Sequence, residues 1–298
     1  MVPRPIFDTN IFGHVEEGLI SHSDWRHLLR QRAGRGWPLS AVTALELLVG
    51  VHDVPPEMFP RLRKQVELAW KLSNGRILEE PRFLLCKEVL RVPFPPDLVP
   101  PSAAKLAQYM DVVRRARSRQ DILEGCVPYK GGWAGLHDTS VLNELVAGPK
   151  KEWAERVEAL ADDIYPPWRE LFQQTGKRLP PEMRKELASR SAWEAERNRL
   201  SESMLRWLNA GTARESVAEI TKRLDAVLEL TLFVVREFLT GSYSLERHGS
   251  DVYDQFQLHY LAIDRFIIVS EDTNLSKRTS RSCQVDRIMS FEKFLQNL

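Results

Sequence analysis

Asp8 and Asp272 are the residues whose positions first suggest chemistry. Asp8 ends the apolar run Pro5-Ile6-Phe7 and is followed by Thr9-Asn10, and Phe266-Ile267-Ile268-Val269 runs in the same way into Ser270-Glu271-Asp272. A short apolar run that gives way to acidic and hydroxyl side chains has the form of a buried strand surfacing into a loop. In open α/β sheets, ligands bind beyond the carboxyl ends of the strands, so two such ends would face one site. Carboxylates gathered in that way repel one another and raise each other's proton affinity unless a cation joins them. At Asp8-Thr9-Asn10 a plain turn or helix cap accounts for the same residues equally well.

The elements that must hold these residues follow from the pattern of apolar positions. After the first strand, Asp24 to Arg32 carries Trp25, Leu28 and Leu29 at helical spacing, with Gly34 and Gly36 to end it. Thr43 and Glu46 match a capping box, a complete structural role for Glu46 at the head of the next helix. From about residue 52 to 214 the proline pairs Pro55-Pro56, Pro95-Pro96, Pro100-Pro101, Pro166-Pro167 and Pro180-Pro181 punctuate helical runs. These helices are predicted at Arg61 to Leu72, Ala103 to Arg119, Asp138 to Val146, Lys151 to Ile164 and Glu182 to Asn209, with Gly75 to Leu78 and Arg82 to Cys86 open to a strand reading. In the last eighty or so residues, Thr212 and Glu215 form a second capping box ahead of one long helix that Gly241 closes. A helix from Asp251 to Ala262, the strand at Phe266 to Val269 and a final helix from Phe291 complete the reading.

The composition bounds the function. The chain has 298 residues, 43% hydrophobic and 28% charged, with a formal net charge of +1. Such a balance is ordinary for a globular protein and leaves any nucleic-acid partner to be met by local patches. No apolar run reaches the length of a membrane span, and Asp8 and Asn10 interrupt the start of the chain where a signal peptide would need an apolar core. A cytoplasmic protein with no membrane partner is therefore expected. Cys86, Cys126 and Cys283 stand apart, which excludes a Cys-x-x-Cys metal motif and a disulfide framework. The phosphate-binding Gly-x-x-x-x-Gly-Lys-Ser/Thr loop and the Gly-x-Ser-x-Gly nucleophile elbow are both missing.

The ordered acidic residues give the chain a family resemblance. Asp8-Thr9-Asn10 at a strand end, Glu46 after Thr43 at the head of an early helix, Asp254 opening Asp-x-x-x-Leu-x-x-x-Ala with Leu258 and Ala262, and Ser270-Glu271-Asp272 after a strand follow one another in the order of the PIN-domain nucleases. The chain resembles that family over roughly residues 1 to 50 and 215 to 298. The resemblance implies an α/β fold, a three-layer α/β/α sandwich around a central parallel sheet, formed by residues 1–51 and 215–298. Residues 52–214 would then be a mostly helical inserted subdomain, a departure from the shorter members, suited to an RNA clamp, a dimer surface or a lid. Asp251 competes with Asp254 for the third acidic position; spacing favours Asp254, which leaves Asp251 as an auxiliary ligand or a favourable charge at a helix start.

What the resemblance implies chemically is a metal-dependent endoribonuclease. Asp8, Glu46, Asp254 and Asp272 would bind Mg²⁺ or Mn²⁺, hard cations that take oxygen ligands and also coordinate phosphate. Thr9, Asn10, Ser270 and Asn274 would orient those carboxylates or touch phosphate. Lys277, Arg278, Arg281 and Arg287, close behind the fourth acid, would contact the substrate, which is RNA by resemblance, with DNA as the other option. A second basic cluster, Arg114, Arg115, Arg117 and Arg119, and the aromatic pair Tyr129 and Trp133 lie in the insertion. An antitoxin-type protein and a second copy of the chain are the protein partners that the family suggests. The alternative function is a non-catalytic nucleic-acid-binding or scaffold protein on a PIN-like fold. A phosphotransferase of the haloacid-dehalogenase type fits poorly, because Asn10 and Phe12 stand where Asp-x-Asp-x-Thr/Val is needed.

Overall fold

The computed structural model describes residues 3–31, 36–53, 55–94, 102–126, 139–164, 190–207 and 216–298, with positions 170, 174 and 182. In chain order the elements are β1 (Arg4–Phe7), α1 (Thr9–Glu17), α2 (His22–Gln31), α3 (Ala41–Asp53), α4 (Phe59–Ser73), α5 (Pro81–Leu84), α6 (Ala103–Arg115), α7 (Arg119–Cys126), α8 (Thr139–Ile164) and α9 (Arg190–Trp207). They continue with α10 (Val217–Arg223), α11 (Asp225–Leu239), α12 (Asp251–Leu258), β2 (Phe266–Val269), α13 (Thr273–Arg278), β3 (Ile288–Met289) and α14 (Phe291–Gln296). The protein is thus mixed α/β and mostly helical, with one small parallel sheet.

The sheet joins the two ends of the sequence. Its order is β1-β2-β3, with Arg4 opposite Phe266 and Phe7 opposite Val269, while Ile268 and Val269 face Ile288 and Met289. Alternate residues of a strand point to opposite faces, and here both faces are buried. Ile6, Phe266, Ile268 and Ile288 enter one apolar cluster with Trp153, Leu228, Leu232 and Tyr260. Phe7, Ile267 and Val269 enter the other with Phe12, Trp25, Leu47, Tyr109 and Phe291. Ile6, Phe266 and Ile268 are fully buried, so truncating any of them to Ala would cost about 2–5 kcal/mol. The middle of the chain supplies Trp153, Val157 and Leu200 to the first cluster and Leu72, Leu106, Tyr109 and Val113 to the second. It shares both cores with the chain ends.

Several local expectations are redrawn. The run from Ala103 to Arg119 is two helices, because Ala116 turns extended and Asp121 takes the backbone N–H of Arg117 and the hydroxyl of Ser118. Gly148-Pro149 does not end a helix: α8 continues through Pro149, and the buried Trp153, Val157 and Ala161 on the far side hold the continuation against the core. Arg82 to Cys86 is helical, with Glu80 capping α5 through the backbone N–H of Phe83 and the next turn, Leu85–Leu90, wound as a π-helix. Ile77 makes an isolated parallel bridge to Leu39. The long C-terminal helix is broken at Leu224 into α10 and α11, and the capping box that opens α10 is Ser216 with Glu219. The one expected at Thr212 and Glu215 lies outside the described residues, as do Tyr129, Trp133 and Asp138.

Candidate functional site

Asp8 leaves β1 with its backbone N–H still in the ladder, donating to Val269 at 3.0 Å. It then caps α1: its Oδ1 accepts the N–H of Thr9 at 2.7 Å. The cap reading and the site reading therefore hold together, since Oδ2 points to a second strand end. Ser270 is the link. Its hydroxyl donates to Asp8 Oδ2 at 2.6 Å while accepting from the Asn10 side chain at 3.1 Å and from the backbone N–H of Asp272 at 3.0 Å. Asn10 also accepts the N–H of Glu271 through Oδ1 at 3.2 Å. Asp272 in turn caps α13, accepting the N–H of Asn274 at 2.7 Å. Asn274 takes part through its backbone, with its side chain on the exposed surface.

Glu46 arrives by a route different from the one its spacing suggests. The capping box is not made: Ser40 accepts the N–H of Thr43 at 2.8 Å and so caps α3, and Thr43 lies inside the helix. The Thr43 hydroxyl donates instead to the carbonyl of Phe7 at 2.9 Å, tying α3 to the end of β1. Gln257 on α12 accepts from Ser40 at 2.9 Å and donates to Thr43 at 3.3 Å. This buried network fixes α3 and α12 around the end of β1. Glu46, one turn along α3, is left to receive the Thr9 hydroxyl on Oε2 at 2.5 Å.

Electrostatics brings Asp254 into the same group. Burial pushes its carboxyl well above the usual range, and the charges of Asp8, Glu46, Asp251 and Asp272 push it further. Burial and the neighbouring Asp8 push Glu46 up to about 8, against the Thr9 hydrogen bond and the charge of Lys150, which lower it. Asp8 is raised by burial and by Asp272, with the bonds from Ser270, Thr9 and Asn10 opposing. Asp8, Glu46, Asp254 and Asp272 thus share one field at the carboxyl end of the sheet. Among the described residues no three acidic, histidine or cysteine side chains stand at metal-coordination spacing; the four carboxylates form an acidic basin through their shared field. Its donors are all oxygen, which suits Mg²⁺ or Mn²⁺ better than softer ions.

The remaining candidates separate clearly. Asp251 is buried and accepts from Arg278 Nη1 at 2.6 Å and from the Tyr243 hydroxyl at 2.9 Å. Arg278 is further held near Glu237, at 3.8 Å, and over the rings of Phe233 and Tyr243. Arg287 is spent on backbone: Nη1 donates to Leu261 at 2.7 Å, Nη2 to Ile263 at 2.7 Å, and Nε to Phe266 at 3.0 Å. Lys277 and Arg281 remain exposed. In the middle segment, Arg114 and Arg115 pair with Asp111, and Arg119 reaches the Val51 carbonyl. His259 is buried with Nδ1 on the Gln255 carbonyl, and burial pushes it down to about 3. Sequence reasoning missed Ser40, Gln257 and Lys150. The Ser40/Thr43 hydroxyl pair was the one visible signal; nothing local ties Lys150 to Glu46.

Compared with protein-family models, with curated proteins and with solved structures, the chain finds no match. No helix among the described residues is long and apolar enough to cross a membrane.

Proposed function

We propose that this chain is a Mg²⁺- or Mn²⁺-dependent nuclease of PIN-like, three-layer architecture, acting as an endoribonuclease through Asp8, Glu46, Asp254 and Asp272. The observation that carries the reading is the shared field of these four carboxylates, three of them held above the usual range by burial and by one another. Such an arrangement costs stability in an empty protein and is relieved by a bound cation. Their order along the chain, and a parallel sheet with apolar clusters on both faces, support the PIN-like assignment. On this reading residues 1–51 and 215–298 are the nuclease core and residues 52–214 the insertion. The choice of RNA rests on the family resemblance.

The four carboxylates would hold the ions. When bound, the metal supplies Lewis acidity, activating water and stabilising the leaving oxygen. Around it the chain's own groups set geometry. Ser270 fixes Oδ2 of Asp8 and the backbone of Asp272, Thr9 fixes Glu46, and the Ser40-Thr43-Gln257 network holds α3, α12 and the end of β1 in register. No covalent nucleophile is required.

Single-stranded RNA should be cut by the wild type in Mn²⁺ and not in EDTA, and Asp8→Asn should lose about 10²-fold or more of that activity. Equal cleavage by both proteins refutes the site. Mn²⁺ binding without cleavage of any RNA or DNA refutes the enzyme and favours a non-catalytic binding protein or scaffold.

A further inference from the structure

Among the described residues of the middle of the chain, Lys150 lies beside the start of the helix that carries Asp254. Lys150 lies on α8, directly after Pro149, and is exposed, while the helix it rides on is anchored within one turn by the buried Trp153, whose indole N–H donates to the Tyr243 hydroxyl at 3.4 Å. The same helix packs on α3, which carries Glu46, on α12, which carries Asp254, and on α11. The Lys150 stem runs beside Gly249, just ahead of α12: a Cβ added at Gly249 would stand 3.3 Å from Lys150 Cδ. The ammonium charge is felt by Glu46. Yet Lys150 closes no contact ion pair among the described residues, whereas its neighbour Lys151 reaches Glu155.

A lysine standing off from the carboxylates beside it is poorly explained as their counter-ion. It would also repel any divalent cation entering the basin, a cost that an anion between lysine and metal removes. A compact ammonium on a flexible stem suits phosphate oxygens. We propose that Lys150 contacts a backbone phosphate of the RNA next to the bond being cut, so that the middle segment completes the nuclease site. This inference rests on the nuclease reading above.

The test uses the full chain in Lys150→Met and Lys150→Arg forms, with MnCl₂ and a fluorescein-labelled oligouridylate as probes. Lys150→Met should keep the wild-type melting temperature, weaken oligouridylate binding about tenfold at low salt and raise KM more than it lowers kcat. It should also flatten the dependence of log affinity on log salt by about 0.7, the contribution of one single-strand phosphate contact. Lys150→Arg should restore most of both. An unchanged RNA affinity and salt slope in Lys150→Met, with Mn²⁺ bound as in the wild type, overturns the contact. Tighter Mn²⁺ binding with an unchanged RNA slope also overturns it, and assigns Lys150 to Glu46 alone. If the wild type binds no Mn²⁺, the carboxylate site itself fails, and the Lys150 contact falls with it.

Discussion

Glu46 makes the acidic basin measurable without any substrate. In the unfolded chain its carboxyl titrates near 4.5, and in the folded protein it is pushed up to about 8. Between those values the folded state holds a proton that the unfolded state has released, so stability must fall as pH rises and level off above about 8. The gap sets a ceiling of about 5 kcal/mol at ~1.4 kcal/mol per pH unit. The side chain is half-buried, so solvent screening and proton sharing with Asp8 and Asp254 reduce the realised loss to about 2–3 kcal/mol. Replacing Glu46 by Gln keeps an acceptor for the Thr9 hydroxyl and removes the charge. In EDTA, Glu46→Gln should match the wild type near pH 5 and exceed it at pH 8 by that amount. In a chain of this size the difference amounts to a melting temperature higher by about 3–5 °C. Adding Mn²⁺ at pH 8 should close the gap by stabilising the wild type more than the variant. Thermal unfolding followed by circular dichroism across pH 5 to 8 gives the comparison. Equal wild-type stability at both pH values, or parallel curves for the two proteins, would refute the placing of Glu46 in a shared acidic field.

Ser270→Ala removes the hydroxyl that joins Asp8, Asn10 and the Asp272 backbone. It should cost about 1–2 kcal/mol in urea unfolding and, because a bond favouring ionised Asp8 is lost, move the acid limb of activity toward higher pH. A shift toward lower pH would contradict that wiring. Arg287→Ala strips donors from the carbonyls of Leu261, Ile263 and Phe266. A loss of about 2–4 kcal/mol is expected, and Arg287→Lys, lacking the planar fork, should recover little of it. Weakened RNA binding at full stability would instead return Arg287 to the substrate surface.

What could be read from the sequence was local. The two strands that end in aspartate, the helix that starts at Asp251 and the final helix at Phe291 are announced by apolar runs and turn residues, and they stand where the spacing puts them. Glu46 was expected at the head of its helix and lies one turn further along, because the cap was misread. Two hydroxyls three residues apart compete for the cap, and only the packing of Gln257 and the Phe7 carbonyl decides that Ser40 takes it and Thr43 does not. Arg278 and Arg287 look like free cations in sequence because their partners lie far off, Asp251 for one and main-chain carbonyls for the other. The middle segment was harder still. Its helices show which faces are apolar but not which core they enter, and a proline at 149 gives no hint that the helix around it continues.

The pairing of Arg4 with Phe266 has a consequence for synthesis. A chain emerging from the ribosome at about 5–20 residues per second exposes Ile6 and Phe7 for roughly 15–50 s before their parallel partner exists. During that time Asp8 has neither Ser270 nor Asp272 beside it. The acidic basin forms only once residues 266–272 have been made, so the nascent chain, held against ribosomal and messenger RNA, carries the first acid of the site long before the last.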